Sequence, residues 1–79
     1  MKEIKWNEIK ENADDILTHK TLDAAEWDRD HYFPYGEYEV VRISDVSYGL
    51  MKSDGHMVTK IDYDKAYVNW MFNTYPRPE

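Results

Sequence analysis

The stretch Tyr38-Glu39-Val40-Val41-Arg42-Ile43-Ser44-Asp45-Val46-Ser47-Tyr48-Gly49-Leu50-Met51-Lys52-Ser53-Asp54-Gly55 decides the fold. Its β-branched and aromatic residues predict one strand over Glu37–Ser44 and a second over Ser47–Lys52. Ser53-Asp54-Gly55 is a hairpin signal in which Gly55 can supply positive φ. Beyond it, Met57, Thr59, Ile61 and Tyr63 alternate with Val58, Lys60 and Asp62, which predicts a third, half-buried strand over His56–Asp62. Three consecutive strands with short links imply an antiparallel meander. Gly49, inside the second strand, reads as a bulge.

Downstream, Asp62 or Asp64 can cap a last helix over Lys65–Asn73. Tyr67, Val68, Met71, Phe72 and Tyr75 spread over a broad face there, with Trp70 alongside. Such width predicts packing across the sheet. Pro76 and Pro78 predict an extended tail over 76–79.

Upstream the texture is helical. Met1–Lys5 reads as a short edge strand or as the lead-in to a helix. Trp6, Ile9, Ala13, Ile16 and Leu17 fall at i, i+3, i+7, i+10 and i+11, while Glu8, Glu11 and Asp15 fall opposite. With Asn7 as N-cap and His19 and Lys20 at the negative end of the dipole, this spacing predicts a first helix over Asn7–His19. Thr21 is a second N-cap candidate, opening a helix over Leu22–His31. Pro34 and Gly36 end it. The expected fold is α+β in a single domain, 1–79: one or two N-terminal helices, a three-stranded antiparallel meander, and a C-terminal helix packed on the sheet.

Composition narrows the function classes. The 79 residues include no cysteine, so neither a disulfide framework nor a Cys-based zinc site supplements a small core. Twelve aromatic rings (seven Tyr, three Trp, two Phe) supply bulk in their place. The net charge of −6 argues against direct attraction to nucleic acid or anionic membrane and suits a basic protein partner. With no long apolar run and no apolar leader after Met1, the expected location is cytoplasmic, the host cytoplasm if the protein is viral.

The chemistry-bearing motifs do not assemble into a site. His19, His31 and His56 lie on separate predicted elements without metal-ligand spacing. Asp28-Arg29-Asp30-His31 begins like a calcium loop but continues with His31 and Tyr32 where an acid and a Gly belong. There is no nucleophile elbow, and Ser44, Ser47 and Ser53 fall in or near turns, where hydroxyls ordinarily bond backbone. Abundant carboxylates in a solvated run raise no pKa without burial. The expectation is a non-catalytic protein without metal or cofactor. Tyr38, Tyr48 and Tyr63 could form a stacking platform for single-stranded nucleic acid, but acids surround Arg42, Lys52, Lys60 and Lys65, so core aromatics are the better reading.

The surplus acid lies between Glu8 and Asp30. Its plain reading is the solvated outer face of two amphipathic helices. The functional reading is a partner-binding surface of Glu8, Glu11, Asp15, Asp23, Glu26, Trp27 and Asp30. Repeating carboxylates would imitate the spaced charges of a phosphate backbone and attract the basic site of a nucleic-acid-binding protein, with Trp27 as anchor. Small acidic inhibitors of host proteins, of the sort bacteriophages encode, have this general character. The runner-up is a module that binds a partner or a second copy through the aromatic sheet and C-terminal helix. The expected oligomeric state is a monomer or a small homo-oligomer.

Overall fold

The hairpin forms where the sequence predicts it. In the computed structural model, which describes residues 1–33 and 37–74, β3 (Tyr38–Ser44) and β4 (Ser47–Lys52) pair antiparallel, with Val40 opposite Leu50 and Val41 opposite Gly49. Arg42 and Asp45 form an ion pair at the turn. Two short strands complete the sheet from the N-terminal third. β1 (Lys2–Glu3) lies parallel to β3, and β2 (Thr18–His19) lies antiparallel to β4, giving the order β1-β3-β4-β2. The fold is α+β with a four-stranded mixed sheet, in place of the three-stranded meander.

Both sheet faces are covered. On one, Val40 and Leu50 pack with Ala25, Phe33 and Val58, joined by half-buried Tyr38, Tyr48, Tyr63 and Leu22. On the other, Val41 and Met51 pack with Ile16 and Met57, joined by Ile4, Ile9 and Ile43. A strand pair covered on both faces reads as a continuous apolar run, as Val40-Val41 and Leu50-Met51 do. Tyr38, Tyr48 and Tyr63 are core-packing rings, not an open stacking platform.

The first predicted helix does not form. A single 3-10 turn at Trp6–Glu8 is followed by an extended and turning segment up to β2. Asn12 accepts the Asp14 N–H on its side chain at 3.2 Å and the Asp15 N–H on its carbonyl at 2.9 Å, a local turn that competes with helix. Ile16 bridges Thr59, and the Leu17 N–H donates to the Val58 carbonyl. Magnitudes explain the outcome. Burying Ile16 against the sheet is worth about 1.5–3 kcal/mol, whereas helix propensities differ by only a few tenths per residue and Asn, Asp and Thr rank low. The helical spacing of Ile9 and Ile16 serves a core contact made in another backbone conformation.

α1 (Leu22–Tyr32) follows the sequence reading closely, with Thr21 as N-cap accepting the Ala24 N–H at 3.2 Å. It ends at Phe33; the predicted turn at Pro34 and Gly36 lies outside the described residues.

The third predicted strand is reduced to isolated bridges, Met51 to Met57 and Ile16 to Thr59. Gly55 takes φ of 90° in the preceding turn, as its position predicts. The bulge lies between Arg42 and Ser44, not at Gly49. Gly49 is flat and paired on both sides, and a Cβ there would come within 2.6 Å of the Met57 methyl.

α2 (Lys60–Thr74) starts five residues earlier than expected. Thr59 and Asp62 form a reciprocal capping box: the Thr59 hydroxyl accepts the Asp62 N–H, and the Asp62 carboxylate accepts the Thr59 N–H, each at 3.1 Å. Asp62 is therefore the third helical residue, not the cap. Its carboxylate also pairs with Lys52 at 3.0 Å. Burial pushes the Asp62 carboxyl up, but the Thr59 and Lys52 bonds outweigh it and hold the group below its ordinary value. The helix is not laid across the sheet. Tyr63 and Ala66, from its first two turns, reach the core, and further along it packs against α1 through aromatic contacts. The predicted tail, 76–79, lies outside the described residues.

Candidate functional site

α1 sorts its side chains at about 100° per residue. Ala25, Asp28 and Tyr32 turn inward, while Asp23, Glu26, Trp27, Asp30 and His31 share the outer side. Trp27 is 50% exposed. It is nonetheless held: its ring stacks on His31 with centroids 3.9 Å apart and planes at 16°, and meets Tyr32 edge-on at 5.6 Å. The His31 Nδ1–H donates to the Trp27 carbonyl at 3.1 Å, one helical turn back, which fixes the imidazole under the indole. Asp23 and Asp30 are exposed and Glu26 half-buried; Asp30 pairs with Arg29 at 3.1 Å.

Tyr32 joins this face to α2. It lies 5.3 Å from Tyr63, 5.8 Å from Tyr67 and 5.6 Å from Trp70, centroid to centroid. Trp27, Tyr67 and Met71 are exposed. The result is an aromatic ledge across two helices with carboxylates along its α1 side.

The N-terminal half of the predicted acidic row is dispersed. Glu8 accepts the Lys5 N–H within the 3-10 turn. Asp15 is exposed, and its carbonyl takes the Lys60 N–H at 2.8 Å. Glu11 turns inward, its side chain 15% exposed. One of its oxygens accepts the Met57 N–H at 3.0 Å and the His56 ring N–H at 2.8 Å. The other is buried without a hydrogen-bond partner. Glu11 is thus a structural clasp between the N-terminal segment and the turn after β4. Seven residues were expected on one surface; the structure gathers four, Asp23, Glu26, Trp27 and Asp30.

A further pair escaped the sequence reading. Asp28, from the middle of α1, is buried at 6% exposure beneath the helix. Its carboxylate lies 2.7 Å from Nε2 of His19 on β2, close enough for an ion pair though out of line for a hydrogen bond. Burial raises the Asp28 carboxyl above its ordinary value, against the opposing pull of His19 and His31. Burial, with the Asp28 charge second, pushes the Tyr63 phenol up to about 12. The wheel of α1 carried the signal, because Asp28 falls on the same side as Ala25 and Tyr32. Its partner, across the fold on β2, left no local trace.

Among the described residues no group of three or more His, Asp or Glu side chains converges as a metal site. Nor is any helix there long and apolar enough to cross a membrane. No protein-family model, curated protein or solved structure matches the chain.

Proposed function

We propose that this chain is a non-catalytic protein-binding domain, and that its partner presents a basic surface to the outer face of α1. The observation that carries the proposal is Trp27: a half-exposed indole, immobilised by stacking on His31, with Asp23, Glu26 and Asp30 on the same helical face. A large ring already held in place loses little freedom on binding, which is what an anchor residue requires. The carboxylates beside it supply long-range attraction to a positively charged partner. Imitation of a phosphate backbone forms no part of the proposal, because Glu11 is buried in a structural contact, Glu8 sits in a single 3-10 turn and Asp15 lies outside any helix.

The test is retention on the immobilised chain of proteins from a lysate of the source organism. Parallel columns carry the Trp27→Ala variant and the combined Asp23→Asn, Glu26→Gln, Asp30→Asn variant. A protein retained at low salt and released by added salt is expected on the wild-type column. Loss of Trp27 should weaken its retention about 30-fold, the equivalent of roughly 2 kcal/mol for an anchor. Equal retention by all three columns, with both variants folded by circular dichroism, overturns the proposal.

A further inference from the structure

α2 has two apolar sides. Tyr63, Ala66 and Trp70 fall within one sector and face the core and α1. Ile61, Val68 and Phe72, at i, i+7 and i+11, fall about 180° away. Ile61 is 66% exposed and Val68 46%. Tyr67 and Met71, also exposed, lie between the two sectors, so exposed apolar side chains extend from the Trp27 ledge around to Ile61. Asp64 and Lys65 interrupt it, both exposed, and Asp14 and Asp15 stand at its Ile61 end, where Lys60 bonds both their carbonyls.

This surface is convex, and the shape bears on what covers it. A helix exposed over such an arc fits a concavity, in the manner of an amphipathic helix seated in a hydrophobic groove with anchors about one and two turns apart. A second copy of this chain would meet it with the same helix face, ridge against ridge. It also brings −6 against −6. The exposed large apolar side chains of α2, Ile61, Tyr67, Val68, Met71 and Phe72, are few beside the roughly 20–30 residues that one side of a standard interface engages. A positively charged partner adds contacts along Asp14, Asp15, Asp64 and the α1 carboxylates, which a second copy would repel.

We infer that α2 is a recognition helix that seats Ile61, Val68 and Met71 in an apolar, basic-rimmed groove of the same protein partner that meets Trp27. The inference rests on the proposed function and extends its surface. Two measurements test it. Sedimentation of the full chain is expected to show a monomer at low and at high salt; a dimer abolished by Val68→Glu overturns the inference in favour of self-association. The second uses the lysate columns, with added columns carrying Ile61→Ser/Val68→Ser and Val68→Glu. Both sites are exposed, so folding is expected to survive in at least the serine form. Retention of the protein that depends on Trp27 should fall at least tenfold on both α2 columns. Undiminished retention there, alongside loss on the Trp27→Ala column, overturns the α2 assignment and leaves the α1 reading standing. Loss on the α2 columns with retention on both α1-variant columns overturns the α1 reading instead. A wild-type column that retains nothing overturns both.

Discussion

Replacing His19 with alanine removes the imidazole that lies 2.7 Å from the carboxyl group of Asp28, a residue only 6% exposed. Breaking one side of a buried ion pair typically costs about 3–5 kcal/mol, because the surviving charge is left desolvated. The figure here should sit at or just below the lower end, about 2–3 kcal/mol, because Asp28 has a second positive influence in His31 and can take up a proton. A chain of this size has roughly 4–12 kcal/mol of stability. At about 4–8 °C per kcal/mol the melting temperature should fall by roughly 10–25 °C at pH 6. The sign with pH follows from Asp28, whose folded-state carboxyl lies above its unfolded value near 3.8. Such a group favours the fold when protonated, and that contribution fades as pH rises through the folded value. In the alanine variant the lone carboxylate should titrate higher still. The deficit relative to wild type should therefore be small at pH 4 and grow toward pH 6. Adding Asp28→Asn to His19→Ala removes the stranded charge and should recover most of the loss. Differential scanning calorimetry of wild type, both single variants and the double variant closes the cycle. A deficit independent of pH between 4 and 6, or a double variant no better than His19→Ala, would refute the buried-charge argument.

Thr59→Ala removes half of the capping box on α2 and should cost about 1 kcal/mol, seen as a lower melting temperature and faster amide exchange in the first turn of the helix. Gly49→Ala pushes a Cβ toward the Met57 methyl; because that is the end of a flexible side chain, the loss should be about 1 kcal/mol, and Gly49→Val should roughly double it or more. Glu11→Ala orphans the Met57 N–H and frees the N-terminal segment, at about 1–3 kcal/mol, with hydrogen exchange rising at Met57 beyond the global change. Trp27→Ala should lower stability by no more than about 1.5 kcal/mol, the value of its ring contacts, and a larger loss would mark Trp27 as core.

Local signals are legible in the sequence, and long-range ones are not. Strands at Tyr38–Ser44 and Ser47–Lys52, the Thr21 cap and the positive φ of Gly55 all follow from properties of a few adjacent residues. The first predicted helix does not form because Ile9, Ile16 and Leu17 have helical spacing for a reason unrelated to helix: Ile9 and Ile16 fill one side of the sheet and Leu17 the other. The C-terminal helix packs on the core through Tyr63 and Ala66 and not along its whole apolar breadth, because that breadth comprises two separate faces, which a count of apolar positions merges. Within the candidate site, the inward turn of Glu11 depends on Met57 and His56, 46 and 45 positions away. Asp23, Glu26, Trp27 and Asp30 were legible together because one regular helix carries them all.

The sheet's two outer strands have a consequence for how the chain comes to be folded. Lys2 pairs with Val41, and Thr18 with Gly49. Both flanks of the central hairpin are thus guarded by segments synthesised roughly 30 to 40 residues ahead of it, and such distant closures slow folding. Until the hairpin leaves the ribosome, Ile4, Ile9 and Ile16 have no surface to bury against. After it does, loss of the first nineteen residues would bare both flanks of the hairpin and remove Ile4, Ile9 and Ile16 from one core face at once. A protease that nicked the segment between β1 and α1 would create an aggregating species instead of a trimmed domain. The acidic face of α1 proposed here as the binding surface would then be carried by an aggregating remnant.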